Sequence, residues 1–133
     1  MSLLALSPPL AIRPSPIPLI VRRQAGIAAE RAIRRRELLP LVRGVHVDAG
    51  RWRALPPWDR YLARVHAVAV LHPEAVFSAE SAAALWGLPF VGEPAEVHVL
   101  TEHAGSARVA GGVRFHATAE QRDVRSEGGV LLV

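Results

Sequence analysis

The sequence predicts an α+β fold, an N-terminal winged helix-turn-helix followed by a small α/β unit that looks cut short at its C-terminus. Three observations carry this expectation. An arginine-rich helical stretch at 27–36 runs straight into two short apolar runs separated by Arg43-Gly44, the pattern of a helix leading into a tight hairpin. Residues 57–72 set apolar side chains at helical spacing, the mark of an amphipathic helix. From residue 96 onward the apolar period drops to two, the spacing of half-buried strands.

With 133 residues the chain can form one domain, or a small domain plus a half-sized unit. Half of its residues are hydrophobic, enough for a core, but only seven are aromatic, so Leu, Val, Ala and Ile must fill most of it. Cysteine is absent. That removes disulfides, thiolate zinc sites and cysteine nucleophiles, and makes the cytoplasm the default location. The apolar opening from Met1 to Ile12 lacks a basic n-region, and Pro8, Pro9, Pro14, Pro16 and Pro18 interrupt it. Residues 1–17 therefore read as a flexible leader rather than a signal peptide, and no apolar run is long enough for a membrane span.

All 16 basic residues are arginine. Such usage, alongside abundant Ala, Gly and Pro, reflects a GC-rich bacterial genome more than a functional demand. Their distribution is more informative. Residues 1–53 carry a net +7 and residues 54–133 a net −3, so a polyanion-binding face belongs near the N-terminus.

Taken in order, a short helix is expected from Pro18 to Ala25, a turn at Gly26, and a second helix over 27–36. In that helix Ile27 and Ala32 or Ile33 face inward, and Arg31, Arg34, Arg35 and Arg36 face out. Leu38–Val42 and Val45–Val47 form the hairpin, with Pro40 confined to an edge or bulged strand because it cannot donate to a ladder. The winged-helix unit is thus assigned to 18–48 and an α/β accessory unit to 49–133.

Residues 49–57 read as a connector. Pro57 opens the best helix of the chain, 57–72, in which Trp58, Tyr61, Leu62, Val65, Val68, Ala69 and His72 share the inner face. Ser78 is a suitable N-cap for a helix over 79–86 that Gly87 closes. Strands are expected over 96–101, 113–117 and 129–133, with Gly105, Gly111 and Gly112 in a connection. The terminal GGVLLV reads as a strand that has barely begun.

A helix, a turn, an Arg-rich helix and a hairpin can dock on double-stranded DNA. The helix fits the major groove, Arg pairs bidentately with phosphate or with guanine, and a hairpin tip reaches neighbouring backbone. Arg31, Arg34 and Arg35 share one helical face and are the groove candidates. Arg36 and Arg43 are assigned to phosphate, with Arg22 and Arg23 adding backbone contacts. A solvated helix surface is the plainer account of the same arginines.

The segments RRQAG, RAIRRRELLPLVRGVHVDAGRW, YLARVHAVAVLHPEAVFSAESAAALWGLP, EVHVL and GVRFHA together resemble the actinobacterial AbiEi-like antitoxin family of type IV toxin–antitoxin systems. The resemblance covers about residues 19–133, and RGVHVD and SAESAAALWGLP are its most specific pieces. It implies a DNA-binding antitoxin or transcriptional autoregulator, with a nucleotidyltransferase toxin as cognate partner. In related longer proteins the same region precedes a restriction-type nuclease domain with no counterpart here. The alternative function is therefore a non-catalytic, protein-interacting front part of such a nuclease architecture. The chain departs from the family at Arg36, where Gly usually closes the recognition helix. It departs again at Pro40, Leu41 and Val42, which replace a commonly basic strand, and at His46, where Tyr is usual.

No catalytic site, metal or cofactor is expected. His46, His66, His72, His98, His103 and His116 form no HExxH arrangement. His98 and His116 fall on the outward face of adjacent strands beside Arg114, where they could meet, although a solvated strand face is much the favoured account of them. His66 and His72 read as packed or capping residues. Ser78 and Ser81 lie in no nucleophile elbow, and the Lys of a nuclease acid-x-Lys motif is missing from the whole chain. Trp52, Trp58, Trp86 and the apolar SAAALWGLPF segment read as core, with a docking face as the second reading.

Overall fold

The computed structural model describes residues 11–101, 108–117, 124–127 and 129–133. Among these it is a mixed α+β fold with four helices and two sheets. The front part consists of β1 (Ile20–Val21), α1 (Arg22–Arg34), β2 (Leu38–Val42) and β3 (Val45–Asp48), with the strands ordered β1-β3-β2 in one antiparallel sheet. Of the helix expected from Pro18 to Ala25, only Arg22–Ala25 is helical, as the first part of α1 before the Gly26 break. Ile20 and Val21 instead pair with His46 and Val45, because two β-branched residues extend readily along the open edge of β3. Pro40 lies on the edge strand β2, where the register shifts between Pro40 and Val42.

Gly26 has φ 75° and ψ −167°, a non-helical step that breaks α1 where the turn was expected. Ile27 follows this break and is 73% exposed, not inward-facing. The inner side of α1 is made only of half-buried Ala25, Ala29, Ala32 and Ile33, and no residue of this helix is fully buried. The helix also stops at Arg34 rather than at residue 36. Glu37 N–H reaches back to Ala32 O at 2.9 Å, and Arg36 adopts φ 60° to allow it.

That left-handed conformation costs a non-glycine residue roughly 1–2 kcal/mol. Arg36→Gly is accordingly expected to stabilise the fold by about 0.5–1 kcal/mol, seen as a higher Tm. An unchanged or lower Tm would mean that the Arg36 side chain contributes more than its backbone strain removes.

The connector expected over 49–57 contains a helix, α2 (Ala49–Ala54), whose first turn is capped by Asp48 Oδ1 accepting from Arg51 N–H at 2.8 Å. Beyond it come α3 (Pro57–Leu71), β4 (Val76–Phe77), α4 (Ala79–Trp86), β5 (Val97–Thr101), β6 (Arg108–Ala110), β7 (Val113–Ala117), β8 (Arg125–Glu127) and β9 (Val130–Leu132). The second sheet runs β6-β7-β5-β4-β9-β8. Its central pair, β4 and β5, is antiparallel, and each is flanked in parallel by the inner strand of a hairpin, β9 beside β4 and β7 beside β5. Gly111 and Gly112, with φ 58° and 76°, make the left-handed turn between β6 and β7. Ser78 precedes α4 as expected, but its side chain makes no capping bond; its backbone O accepts from Ser81 N–H instead.

Helix α3 is buried on nearly every side because it lies between two apolar clusters. Tyr61, Leu62, Val65 and Val68 join the main core with Phe77, Leu85, Val97, Val99, Val113 and Leu132. Ala63 joins Ile17 and Val47 in a smaller cluster that Leu39, Trp52 and Leu55 flank. The described part of the expected leader is packed: Ile17 is 3% exposed, Ile12 lies against the main core, and Arg13 N–H donates to Leu85 O. Its isoleucines are anchors, and the prolines between them favour an extended path. Residues 1–10 lie outside the described residues.

Trp58 departs from the expected inner face and is 56% exposed, because the first turn of α3 reaches past the core. Trp52 and Trp86 are partly buried against the two clusters, and Trp86 Nε1–H donates to Val133 O at 3.1 Å.

A buried polar node ties these layers together. Tyr61 Oη–H donates to Glu96 O at 2.8 Å, Ser81 Oγ lies 2.8 Å from Tyr61 Oη, and His98 N–H donates to Ser81 Oγ at 2.8 Å. Because Tyr61 spends its one proton on Glu96 O, the Ser81 hydroxyl donates to Tyr61 Oη. Burial pushes the Tyr61 phenol up to about 12, with the Ser81 bond opposing it, so the hydroxyl keeps the proton it donates.

Candidate nucleic-acid interface

Residues 22–36 carry six arginines and one carboxylate, Glu30. That carboxylate is already engaged. Arg22 grips it bidentately, Nε to Oε1 at 2.8 Å and Nη2 to Oε2 at 2.9 Å. The hydrogen bond from Arg22 holds the Glu30 carboxyl below its usual range, and the charges of Arg22, Arg34 and His46 add to the effect. Arg22 is thus tied across the Gly26 break. It fixes the two halves of α1 to one another and does not present an unmatched charge.

Arg23, Arg31, Arg34, Arg35, Arg36 and Arg43 are all exposed, and among the described residues none makes an ion pair or a side-chain hydrogen bond. Arg31 and Arg34 lie in the last turn of α1, and Arg35 at its C-cap keeps helical φ and ψ of −80° and −1°. The three therefore follow the i, i+3, i+4 spacing of one face. Arg36 leaves the helix through its left-handed step.

Arg22 and Arg23 are set apart from this group. They border a cleft of about 440 Å³ together with Val21, Glu30, Gly44, Val70 and Leu71. Arg43, in the β2–β3 turn, borders a second cleft of about 400 Å³ that Val68, Leu71 and Val113 also line. The hairpin tip thus leans toward the C-terminal end of α3.

His46 sits behind the Arg22–Glu30 pair on β3, opposite Ile20 and Pro40. It is 5% exposed and its Nδ1 is buried without a partner. Burial lowers its pKa, Arg22 lowers it further, and Glu30 raises it. His66, whose Nε2 lies 2.8 Å from Arg13 O, is also lowered, by burial first, against the raising effect of that hydrogen bond.

Both imidazoles titrate near 6.5 when the chain unfolds and lower when it is folded. Between the two values the unfolded state binds more protons. Stability is therefore fully present above about 6.5 and declines as the pH falls toward the folded values. The expected result is a Tm that drops between pH 7.5 and pH 5, with a smaller drop in His46→Gln. An identical pH profile in that variant would remove His46 from this account.

Other arginines are committed within the fold. Arg60 donates to Trp52 O and Arg53 O, Arg64 to Pro94 O and Ala95 O, and Arg114 pairs with Glu96. Sequence reasoning missed exposed Ile27 at the start of the arginine helix, which the Gly26 signal should have marked as the residue after a break. It also missed Val91, 97% exposed, whereas Trp58 and Leu88, each 56% exposed, belong to the docking-face reading of the sequence. His103 lies outside the described residues. Among those described, no helix is long and apolar enough to cross a membrane. Comparisons of the chain with protein-family models, curated proteins and solved structures returned no match.

Proposed function

We propose that the protein is a sequence-selective DNA-binding protein, an antitoxin or transcriptional autoregulator of a toxin–antitoxin system, in which α1 and the first sheet act as a winged helix-turn-helix. The observation that supports this reading is the run of exposed arginines on and just after α1, where Glu30, one of the two nearby carboxylates, is taken by Arg22 and only Glu37 follows the run. The eight residues from Ile27 to Arg34 span about 12 Å as a helix, a length suited to the width of the major groove. Arg31, Arg34 and Arg35 are the groove contacts. Arg36 and Arg43, with Arg23, hold phosphate, and the exposed Ile27 side chain offers apolar contact to a thymine methyl.

The test is footprinting of the purified protein on the DNA upstream of its own coding sequence. A protected segment that competitor DNA of scrambled sequence does not abolish is expected. No protection at any protein concentration would contradict the reading.

A second reading, a non-catalytic protein-interaction unit, is favoured by the exposed Trp58 and Leu88, which border one depression. Its occupant would be a nucleotidyltransferase toxin or the nuclease part of a longer architecture. Binding that is lost on Trp58→Ser and insensitive to salt would favour this reading over the DNA one.

A further inference from the structure

His98 and His116 stand two register positions apart on the outward face of β5 and β7, where His98 is level with Arg114 and His116 with Leu100. Their rings stack with centroids 5.0 Å apart and 24° between planes. His98 Nδ1 lies 2.7 Å from His116 Nε2. On its other side, His98 Nε2 lies 3.2 Å from Glu80 Oε2. That carboxylate holds a proton on Nε2, so the lone pair of His98 sits on Nδ1. The bond between the rings is then His116 Nε2–H donating to His98 Nδ1. Two imidazole nitrogens thus converge on one point, and a carboxylate orients one ring from behind, the arrangement that steadies metal-bound histidines.

We propose that His98 Nδ1 and His116 Nε2 form a two-histidine site for a late divalent transition metal such as Zn²⁺ or Ni²⁺. Two nitrogens on a tetrahedral zinc stand roughly 3.3 Å apart, so the rings must open by about 0.6 Å from their present contact, a small rotation for side chains at a surface. The ion takes the place of the shared proton. His116 gives up its Nε2 proton and takes one at Nδ1, and both rings bind the metal as neutral donors. Access is direct, because His116 borders an open depression of about 460 Å³ with Arg108, Arg114 and Phe115. Arg114 is balanced there by Glu96. Among the described residues no group of three His, Cys, Asp or Glu side chains is arranged to hold a metal, so water completes the coordination. Glu80 acts as a positioning residue.

The test is titration of the untagged full chain with NiCl₂ and, separately, ZnCl₂, without DNA, by calorimetry and by NMR. One ion per chain should bind, and paramagnetic Ni²⁺ should broaden the His98 and His116 resonances first. His98→Gln and His116→Gln should each weaken binding by at least about tenfold, and Glu80→Gln by roughly 10- to 100-fold. His72→Gln should leave affinity unchanged. Binding unaltered in both His98→Gln and His116→Gln, broadening centred on other histidines, or no binding at all would overturn the site. Should either variant fail to fold, the broadening pattern in the unmodified chain decides by itself.

Discussion

Replacing Arg34 and Arg35 together with alanine is expected to weaken DNA binding and to lower the slope of log affinity against log salt by about two units, one for each lost phosphate-type contact. Each substitution should cost about 1–3 kcal/mol if the side chain also reads a base. Both side chains are exposed and make no side-chain bond among the described residues, and alanine is the best helix former. The double variant should therefore fold, with an unchanged circular dichroism spectrum. Unaltered affinity together with an unaltered slope would show that these arginines do not touch DNA. The matching pair Arg60→Ala and Arg64→Ala would be a poor control, because both guanidiniums bond backbone carbonyls of the fold.

The largest stability effect is expected at Tyr61. Its side chain is fully buried between the helices and the second sheet, its ring lies 5.4 Å from that of Phe90, and its hydroxyl links Ser81 to Glu96 O. Tyr61→Ala should cost about 3–5 kcal/mol from the lost aromatic packing and more from the stranded polar groups. Against a typical total of about 5–15 kcal/mol, that is enough to leave much of the chain unfolded at 37 °C. Tyr61→Phe keeps the ring and strands Ser81 Oγ–H and Glu96 O, for a cost of about 1–3 kcal/mol. Urea denaturation separates the two terms. Equal losses in both variants would mean that the hydroxyl, rather than the ring, carries the contribution of Tyr61.

Strong local signals made much of this architecture legible. Pro57 and the 3.6-residue spacing mark α3, Gly87 with its left-handed φ of 74° ends α4, and Arg43-Gly44 turns the β2–β3 hairpin. The failures share a physical cause, which is that short elements owe their form to partners distant in sequence. Ile20 and Val21 extend only because β3 offers them an open edge. The arms β6 and β8 are three residues long and too short to show a period. Ile12 and Ile17 sit among prolines, and their packing follows from α3 and α4 rather than from their neighbours. Asp48 did carry a capping signal for α2, but it was masked by its position at the end of a strand.

The arginine surface was legible for a simpler reason: charge is written in composition, and exposed arginines need no tertiary partner to be found. The Arg22–Glu30 grip was not, because it spans a helix break that sequence spacing does not measure. The meeting of His98 and His116 required the parallel register of β5 and β7. The alternation of each strand indicated that both faced outward from adjacent strands and could meet, but not the contact itself.

The central claim is that the exposed arginines of α1 belong to a DNA-reading surface, and fluorescence anisotropy tests it most directly. The full chain would be titrated onto DNA from its own upstream region and onto a scrambled sequence across a salt series. The account predicts tighter binding to the upstream DNA, with the preference surviving at moderate salt while the affinity for both falls steeply. Equal affinity for the two DNAs, or none for either, would contradict it.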